Sequence, residues 1–119
     1  MVNHGYPDNN LQSRTKLFSV AIVKYVQSLP QTYIAREIGR QLLRSGMSVG
    51  SNTRAAYRAR SKKEFVAKLG VVIEEADESA FWLELIIESE ISNDKETNQL
   101  HKEANELVSI FISIVKKFR

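Results

Sequence analysis

The sequence predicts an all-α protein, an antiparallel up-down-up-down four-helix bundle, on three observations. Apolar residues recur at three- and four-residue intervals through four consecutive segments. The breaks between segments carry a helix terminator, Pro30, or capping patterns that open at Ser61 and Asn93. The connections are short, which favours antiparallel neighbours, and no alternating strand pattern competes.

Residues 1–12, with Gly5, Pro7, Asp8, Asn9 and Asn10, are polar and rich in turn formers. They read as a flexible N-terminal arm ahead of a bundle domain over residues 13–119. From Ser13 to Leu29, Phe18, Ile22, Tyr25 and Leu29 recur at helical spacing, with Lys16, Ser19 and Gln27 on the other side. Pro30 ends this helix, because it has no amide hydrogen and disfavours helical geometry in the residue before it.

A second helix starts at Gln31 or Thr32. Ala35, Ile38, Leu42, Val49, Thr53 and Ala56 share one face. Arg36, Arg40, Arg44, Arg54 and Arg58 project within an arc of roughly 80° on the opposite face, joined by Met47 and Ser51. These faces exist only if the helix runs through Ser45, Gly46, Ser48, Gly50 and Ser51, where each glycine costs about 1 kcal/mol relative to alanine. The faces stay in phase across the stretch, which favours a continuous helix whose small residues let a neighbour approach closely. A break at Gly46 or Gly50 is the competing reading.

Ser61 followed by Glu64 has capping-box spacing ahead of an apolar run, and opens a third helix. Its core stripe is Phe65, Leu69, Val72, Ile73, Ala76, Ala80, Leu83 and Ile87. Val71, Phe81, Trp82 and Leu85 fall outside that stripe among Glu74, Glu75 and Glu78, and this second apolar face suggests contact with another subunit. The alternative is that Trp82 caps one end of the core. Asn93 followed by Glu96 repeats the capping spacing, and Leu100, Ala104, Leu107, Val108, Phe111, Ile114, Val115 and Phe118 carry a fourth helix to the C-terminus. Lys116, Lys117 and Arg119 lie where the helix dipole favours positive charge.

With 119 residues, 43% apolar and 26% charged, the chain has the composition of one small globular domain. It contains no cysteine, which excludes disulfides and thiolate chemistry. Nothing in its first residues combines a basic start with an apolar stretch, and no apolar run approaches the roughly 20 residues that span a bilayer. A cytoplasmic protein with no membrane-spanning helix is expected. The net charge of +3 hides an asymmetry. Between Arg36 and Lys68 nine basic residues (Arg36, Arg40, Arg44, Arg54, Arg58, Arg60, Lys62, Lys63 and Lys68) face only Glu37 and Glu64. Between Glu74 and Glu106 eleven acids face Lys95 and Lys102. Such a split points either to a basic surface for polyanions or to oppositely charged helices that neutralise one another.

The candidate nucleic-acid-binding residues are therefore Arg36, Arg40, Arg44, Arg54, Arg58, Arg60, Lys62 and Lys63, whose spacing suits a phosphate backbone but supplies no base readout. The opposing expectation is that these cations pair with Glu75, Glu78, Glu84 or Glu88 of a neighbouring helix. Asn52, at the edge of the core face, is expected to bond across helices, and Ser45 and Ser48 to serve packing. A metal site would need Glu-x-x-His on two helices. The sequence has none, His4 lies in the arm, and His101 has no second histidine near it. There is no phosphate-binding loop with its lysine and no serine, histidine and acid arrangement. No catalytic residue, metal or cofactor is expected.

Arg44, Ser45, Gly46, Ser48, Val49 and Asn52 on the second helix, then Ser61, Glu64, Phe65, Lys68, Glu75, Ala76, Glu78, Trp82 and Leu83 on the third, resemble the four-helix-bundle family of 23S ribosomal RNA intervening-sequence proteins. The resemblance implies a left-handed antiparallel bundle that assembles as a ring, commonly a homopentamer, and implies little about activity. A relative, the accessory variability determinant of diversity-generating retroelements, looks like the same bundle and uses a basic surface to engage nucleic acid and a reverse transcriptase. This chain departs from the family's Asn-Ile-x-Glu-Ala at Asn52, Thr53, Arg54, Ala55 and Ala56, with Ala55 in place of the glutamate. The functional expectation is a homo-oligomeric structural or interaction module that contacts RNA or DNA through the basic face. A pure scaffold with that face neutralised by acidic helices of neighbouring subunits is the alternative.

Overall fold

Three of the four helices begin by the same device, an extended residue whose side-chain oxygen accepts a backbone amide hydrogen from the first turn. In the computed structural model, which describes residues 10–118, Thr32 accepts from the Ala35 amide at 3.3 Å, Ser61 from Glu64 at 3.0 Å and Asp94 from Thr97 at 2.8 Å. They open α2 (Tyr33–Tyr57), α3 (Lys62–Glu88) and α4 (Lys95–Lys116), which follow α1 (Asn10–Gln27). Among the described residues there is no strand. Each helix packs on the next in sequence and α4 closes onto α1, leaving the diagonal pairs apart. The result is an antiparallel four-helix bundle, a rod of 46 × 20 × 19 Å.

The boundaries differ from the expected ones in four places, one being that α4 ends at Lys116 and does not run to the C-terminus. Residues 10–12, assigned to the arm, belong to α1, because Leu11 is buried and extends the core stripe one turn ahead of Thr15 and Phe18. Residues 1–9 lie outside the described residues. α1 then stops at Gln27 rather than Leu29, with the Ser28 hydroxyl turned back onto the Tyr25 carbonyl at 2.6 Å and Leu29 still buried. At α4 the cap is Asp94, not Asn93. Its Oδ1 takes both the Thr97 amide and, at 2.7 Å, the Thr97 hydroxyl, while Asn93 instead accepts from the Asn98 side chain at 2.9 Å.

α2 is continuous through Gly46 and Gly50, and the reason lies in its neighbour. A Cβ on Gly46 would stand 2.6 Å from Ile22 Cγ2, and one on Gly50 would stand 2.6 Å from Ser19 Oγ and 3.2 Å from the Thr15 carbonyl oxygen. The glycines are where α1 lies against α2, so their propensity cost is offset by close packing. Ser19, placed on the outer side of α1 by its spacing, instead sits in this seam. Its hydroxyl donates to the Gly46 carbonyl at 2.7 Å and accepts from the Gly50 amide at 3.1 Å.

The core mixes aliphatic side chains with the buried Phe18, Tyr25 and Phe111, and at one end Phe65 packs edge to face with both Tyr57 and Phe118, centroids 5.4 Å apart in each case. At the other end the buried Tyr25 hydroxyl meets Thr97 Oγ1 at 2.7 Å. Thr97 spends its one hydroxyl proton on Asp94, so Tyr25 and Ser92 donate to it. On α3 the buried set includes Ser79 and Ile86, while the expected Ile73 and Ile87 are only half-buried. Ser79 meets Ser45 of α2 at 2.9 Å, a buried hydroxyl pair that settles the packing role expected of Ser45. Asn52 bonds within its own helix, to the Ser48 carbonyl at 2.9 Å, and not across helices as expected.

Candidate nucleic-acid interface

The helical period decides which cations share a face, and burial decides whether they remain accessible. Arg36, Arg40, Arg44 and Arg54 lie on the exposed side of α2, with Arg58 at its C-cap, Arg60 in the turn to α3 and Lys62 and Lys63 at the start of α3. At a rise of about 1.5 Å per residue, Arg36 and Arg58 stand roughly 33 Å apart along the helix. Tertiary packing divides this stripe. Arg44 is drawn across to α3, where its guanidinium binds the Glu78 carboxylate and lies 3.5 Å from Glu75 Oε1. That Glu75 oxygen is shielded from solvent and accepts no hydrogen bond, so Arg44 supplies charge without a full hydrogen bond. Arg40 reaches only Glu37, one turn away and exposed, at 3.6 Å. Such an exposed pair contributes about 0 to 1 kcal/mol. Lys62 Nζ lies 5.6 Å from the centroid of the Phe118 ring and helps close the aromatic end. Among the described residues, Arg36, Arg54, Arg60 and Lys63 have no acid within ion-pair distance.

Glu84, another acid expected opposite the arginines, is taken by His101 of α4 at 3.0 Å. On α1, Arg14 is held by Glu103 at 2.7 Å and Glu106 at 2.9 Å, and the hydrogen bonds it donates to Glu103 raise its pKa further. Glu103 and Glu106 of α4 thus tie it to α1.

The four apolar residues outside the α3 core stripe do not behave alike. Phe81 is 50% exposed, whereas Val71, Trp82 and Leu85 are half-buried. Trp82 stacks edge-on against Phe81 with centroids 5.1 Å apart, and its indole N–H donates to Glu78 Oε2 at 3.0 Å. Glu78 therefore joins Arg44 and Trp82. Ala55, where the family pattern has glutamate, is half-buried in the last turns of α2.

One feature is absent from the sequence expectation. On the outer side of the seam between α1 and α2 lies a cleft of about 400 Å³. Ser13 and Lys16 of α1 and Met47, Gly50, Ser51 and Arg54 of α2 are among the residues that line it, and none of its lining residues is acidic. Lys16, which the spacing puts on the side of α1 away from the apolar stripe, is one of its walls. The signal that could have located it is the match between the glycine pair of α2 and Ser19, which sets the two helices side by side with Lys16 one turn before the contact. Among the described residues no group of three or more His, Cys, Asp or Glu is placed to hold a metal ion, and no helix is long and apolar enough to cross a membrane.

Four antiparallel helices joined by short turns, with one basic outer face, define an all-α bundle protein. The chain belongs to the family of 23S rRNA-intervening sequence proteins, whose profile matches residues 8–113. A solved structure from Bacteroides thetaiotaomicron, a protein of unknown function from the S23 ribosomal protein family, has the same fold with a TM-score of 0.78. It is 31% identical, and the match covers 89% of this chain and 98% of that one. No curated protein matches the chain.

Proposed function

We propose that the protein is a cytoplasmic, homo-oligomeric interaction module without catalytic activity that binds RNA or DNA through backbone phosphates. The observation that carries this reading is that Arg36, Arg54, Arg60 and Lys63 are exposed with no acidic partner among the described residues, Arg36 and Arg54 standing roughly 27 Å apart along one face of α2. With no array of base-reading groups, the binding is electrostatic and largely independent of sequence. The subunit contacts in this reading involve Val71, Phe81, Trp82 and Leu85, of which Phe81 offers the most open apolar surface. A five-membered ring follows from the family resemblance.

The second reading, a scaffold whose basic face is consumed by acids, is favoured by Arg44, which is already bound to Glu75 and Glu78 within one chain. Fluorescence anisotropy with a labelled single-stranded RNA separates the two. Expected is binding at low salt that weakens with a log–log slope of about −0.7 for each phosphate neutralised. No detectable binding at low salt overturns nucleic-acid recognition and leaves the scaffold. Light scattering tests assembly independently: an oligomer is expected, weakened by Phe81→Ser and Trp82→Ala, and a monomer at working concentration removes the oligomeric part of the reading.

A further inference from the structure

The geometry points to the cleft between α1 and α2 as a seat for the phosphate of a single nucleotide, with Lys16 and Arg54 as its cationic walls. Four observations converge. Its charged lining residues are both cations. Neither has an acidic partner among the described residues, so neither charge is spent. Ser13 and Ser51, the latter with its hydroxyl donating to the Ser48 carbonyl at 3.4 Å, line the same cleft, and an anion can accept from a hydroxyl as well as from an ammonium and a guanidinium. Finally, a volume of about 400 Å³ falls within the range of roughly 300 to 1,000 Å³ typical of small-molecule sites, and exceeds what a bare anion requires.

The cleft is a product of the seam. Gly50 lies in its lining, and the absence of a side chain there lets α1 come close enough for Ser19 to bond the α2 backbone. That approach brings the first turns of α1, with Ser13 and Lys16, opposite the last turns of α2, with Arg54. Met47, 46% exposed, lines the same cleft and presents a thioether. An aromatic base can pack against such a sulfur, as other aromatic rings do. The ligand that suits the two cations, the serines and Met47 is a phosphorylated nucleoside, with its phosphate between Lys16 and Arg54 and its base near Met47. In a bound strand this is one nucleotide, held where the basic face of α2 turns over onto α1. That form rests on the proposed nucleic-acid reading, whereas a free nucleoside monophosphate presents the same chemistry without it.

Amide chemical-shift titration of the full chain with inorganic phosphate, a nucleoside monophosphate and a short single-stranded RNA distinguishes these sources. Saturable shifts at Ser13, Lys16, Ser51 and Arg54 are expected with all three, stronger for the monophosphate than for inorganic phosphate. Lys16→Gln should weaken RNA binding about fivefold at low salt and reduce the salt slope by roughly one phosphate's share. Lys24→Gln, an exposed α1 lysine away from the cleft, is the charge control and should have a smaller effect. If RNA binds but the cleft amides do not move, and Lys16→Gln matches Lys24→Gln, the seat is overturned while the basic face stands. If the monophosphate moves these amides and RNA does not bind, the seat stands and the nucleic-acid reading falls. If no phosphate-bearing probe moves them, the seat is overturned whatever the RNA does.

Discussion

The Ser19 hydroxyl bridges the backbone of the neighbouring helix at Gly50, accepting its amide hydrogen at 3.1 Å while donating to the Gly46 carbonyl at 2.7 Å. One small side chain on α1 thereby reads two glycines four residues apart on α2. The contact sets how closely the two helices approach, and the cationic cleft lies on its outer side.

Alanine substitution separates the glycines by what surrounds them. Gly46→Ala places a Cβ 2.6 Å from Ile22 Cγ2 and 3.0 Å from its Cβ, with no flexible end to give way, and should destabilise by about 1 to 3 kcal/mol. Gly70→Ala on α3 meets nothing within 4 Å and should stabilise by about 0.5 to 1 kcal/mol through helix propensity. Urea unfolding of the two variants checks the opposite signs, and equal effects would remove the close-packing account of Gly46.

Glu90 is the non-glycine residue with positive φ, at 61°, among the described residues. It occupies the left-handed position after α3, where the Ile91 amide reaches back to the Ile86 carbonyl at 3.0 Å and the Glu90 amide to Ile87 at 3.1 Å. This is the Schellman arrangement, which glycine usually fills. Glu90→Gly should therefore raise stability by up to about 1 kcal/mol, since relief of the left-handed penalty exceeds the added freedom of the unfolded chain. A lowered melting temperature would contradict this.

The Tyr25–Thr97–Asp94 chain makes stability depend on pH at both extremes. Burial, the largest cause, raises Tyr25 above its ordinary 10.0, so the folded state resists loss of that proton and stability falls as pH climbs past 10.0. Hydrogen bonds from the Thr97 amide, and then its hydroxyl, lower Asp94 below its ordinary 3.8. Its contribution is present above 3.8 and is lost as pH falls through the lowered value. Tyr25→Phe should cost about 0.5 to 1.5 kcal/mol at neutral pH and flatten the alkaline limb. Asp94→Asn, which keeps a capping oxygen, should change neutral stability little and flatten the acid limb. Denaturant midpoints measured across pH for both variants check the two slopes.

Arg44 and Trp82 meet at the Glu78 carboxylate, and the chain has a single tryptophan. Arg44→Met should cost about 1 kcal/mol, because Glu75 Oε1 keeps its burial and loses its counter-charge. It should also shift the Trp82 emission by freeing the carboxylate that the indole binds. Unchanged emission would show that Trp82 does not sense the ion pair.

Much of the fold was legible before any coordinates, and the reasons are local. The opposed faces of α2 stayed in phase through two glycines because side-chain direction follows from a fixed rotation per residue. Ser61 announced α3 because a cap and its amide lie three residues apart. Asp94 was missed for Asn93 because two adjacent capping residues offer nearly the same spacing, and the Thr97 hydroxyl decides between them by bonding to one. Ser19 and Asn52 were misplaced for a related reason. A small polar side chain can turn to its own helix or to a neighbour, and only the neighbour's position chooses.

The candidate site divides in the same way. The arginine stripe and its single face were properties of the chain alone, since they depend on helical period and residue type. Which arginines remain open was decided by packing: Glu75 and Glu78 take Arg44 because α3 lies against that edge of α2, whereas Arg54 faces an edge where α1 presents Lys16 instead of an acid. Sequence by itself determined the helices, their caps in outline and the segregation of charge, all consequences of interactions within a few residues. Tertiary structure alone decided the seam at Ser19 and Gly50, the partner of each charge and the cleft between α1 and α2, because these arise where groups far apart in the chain compete for the same space.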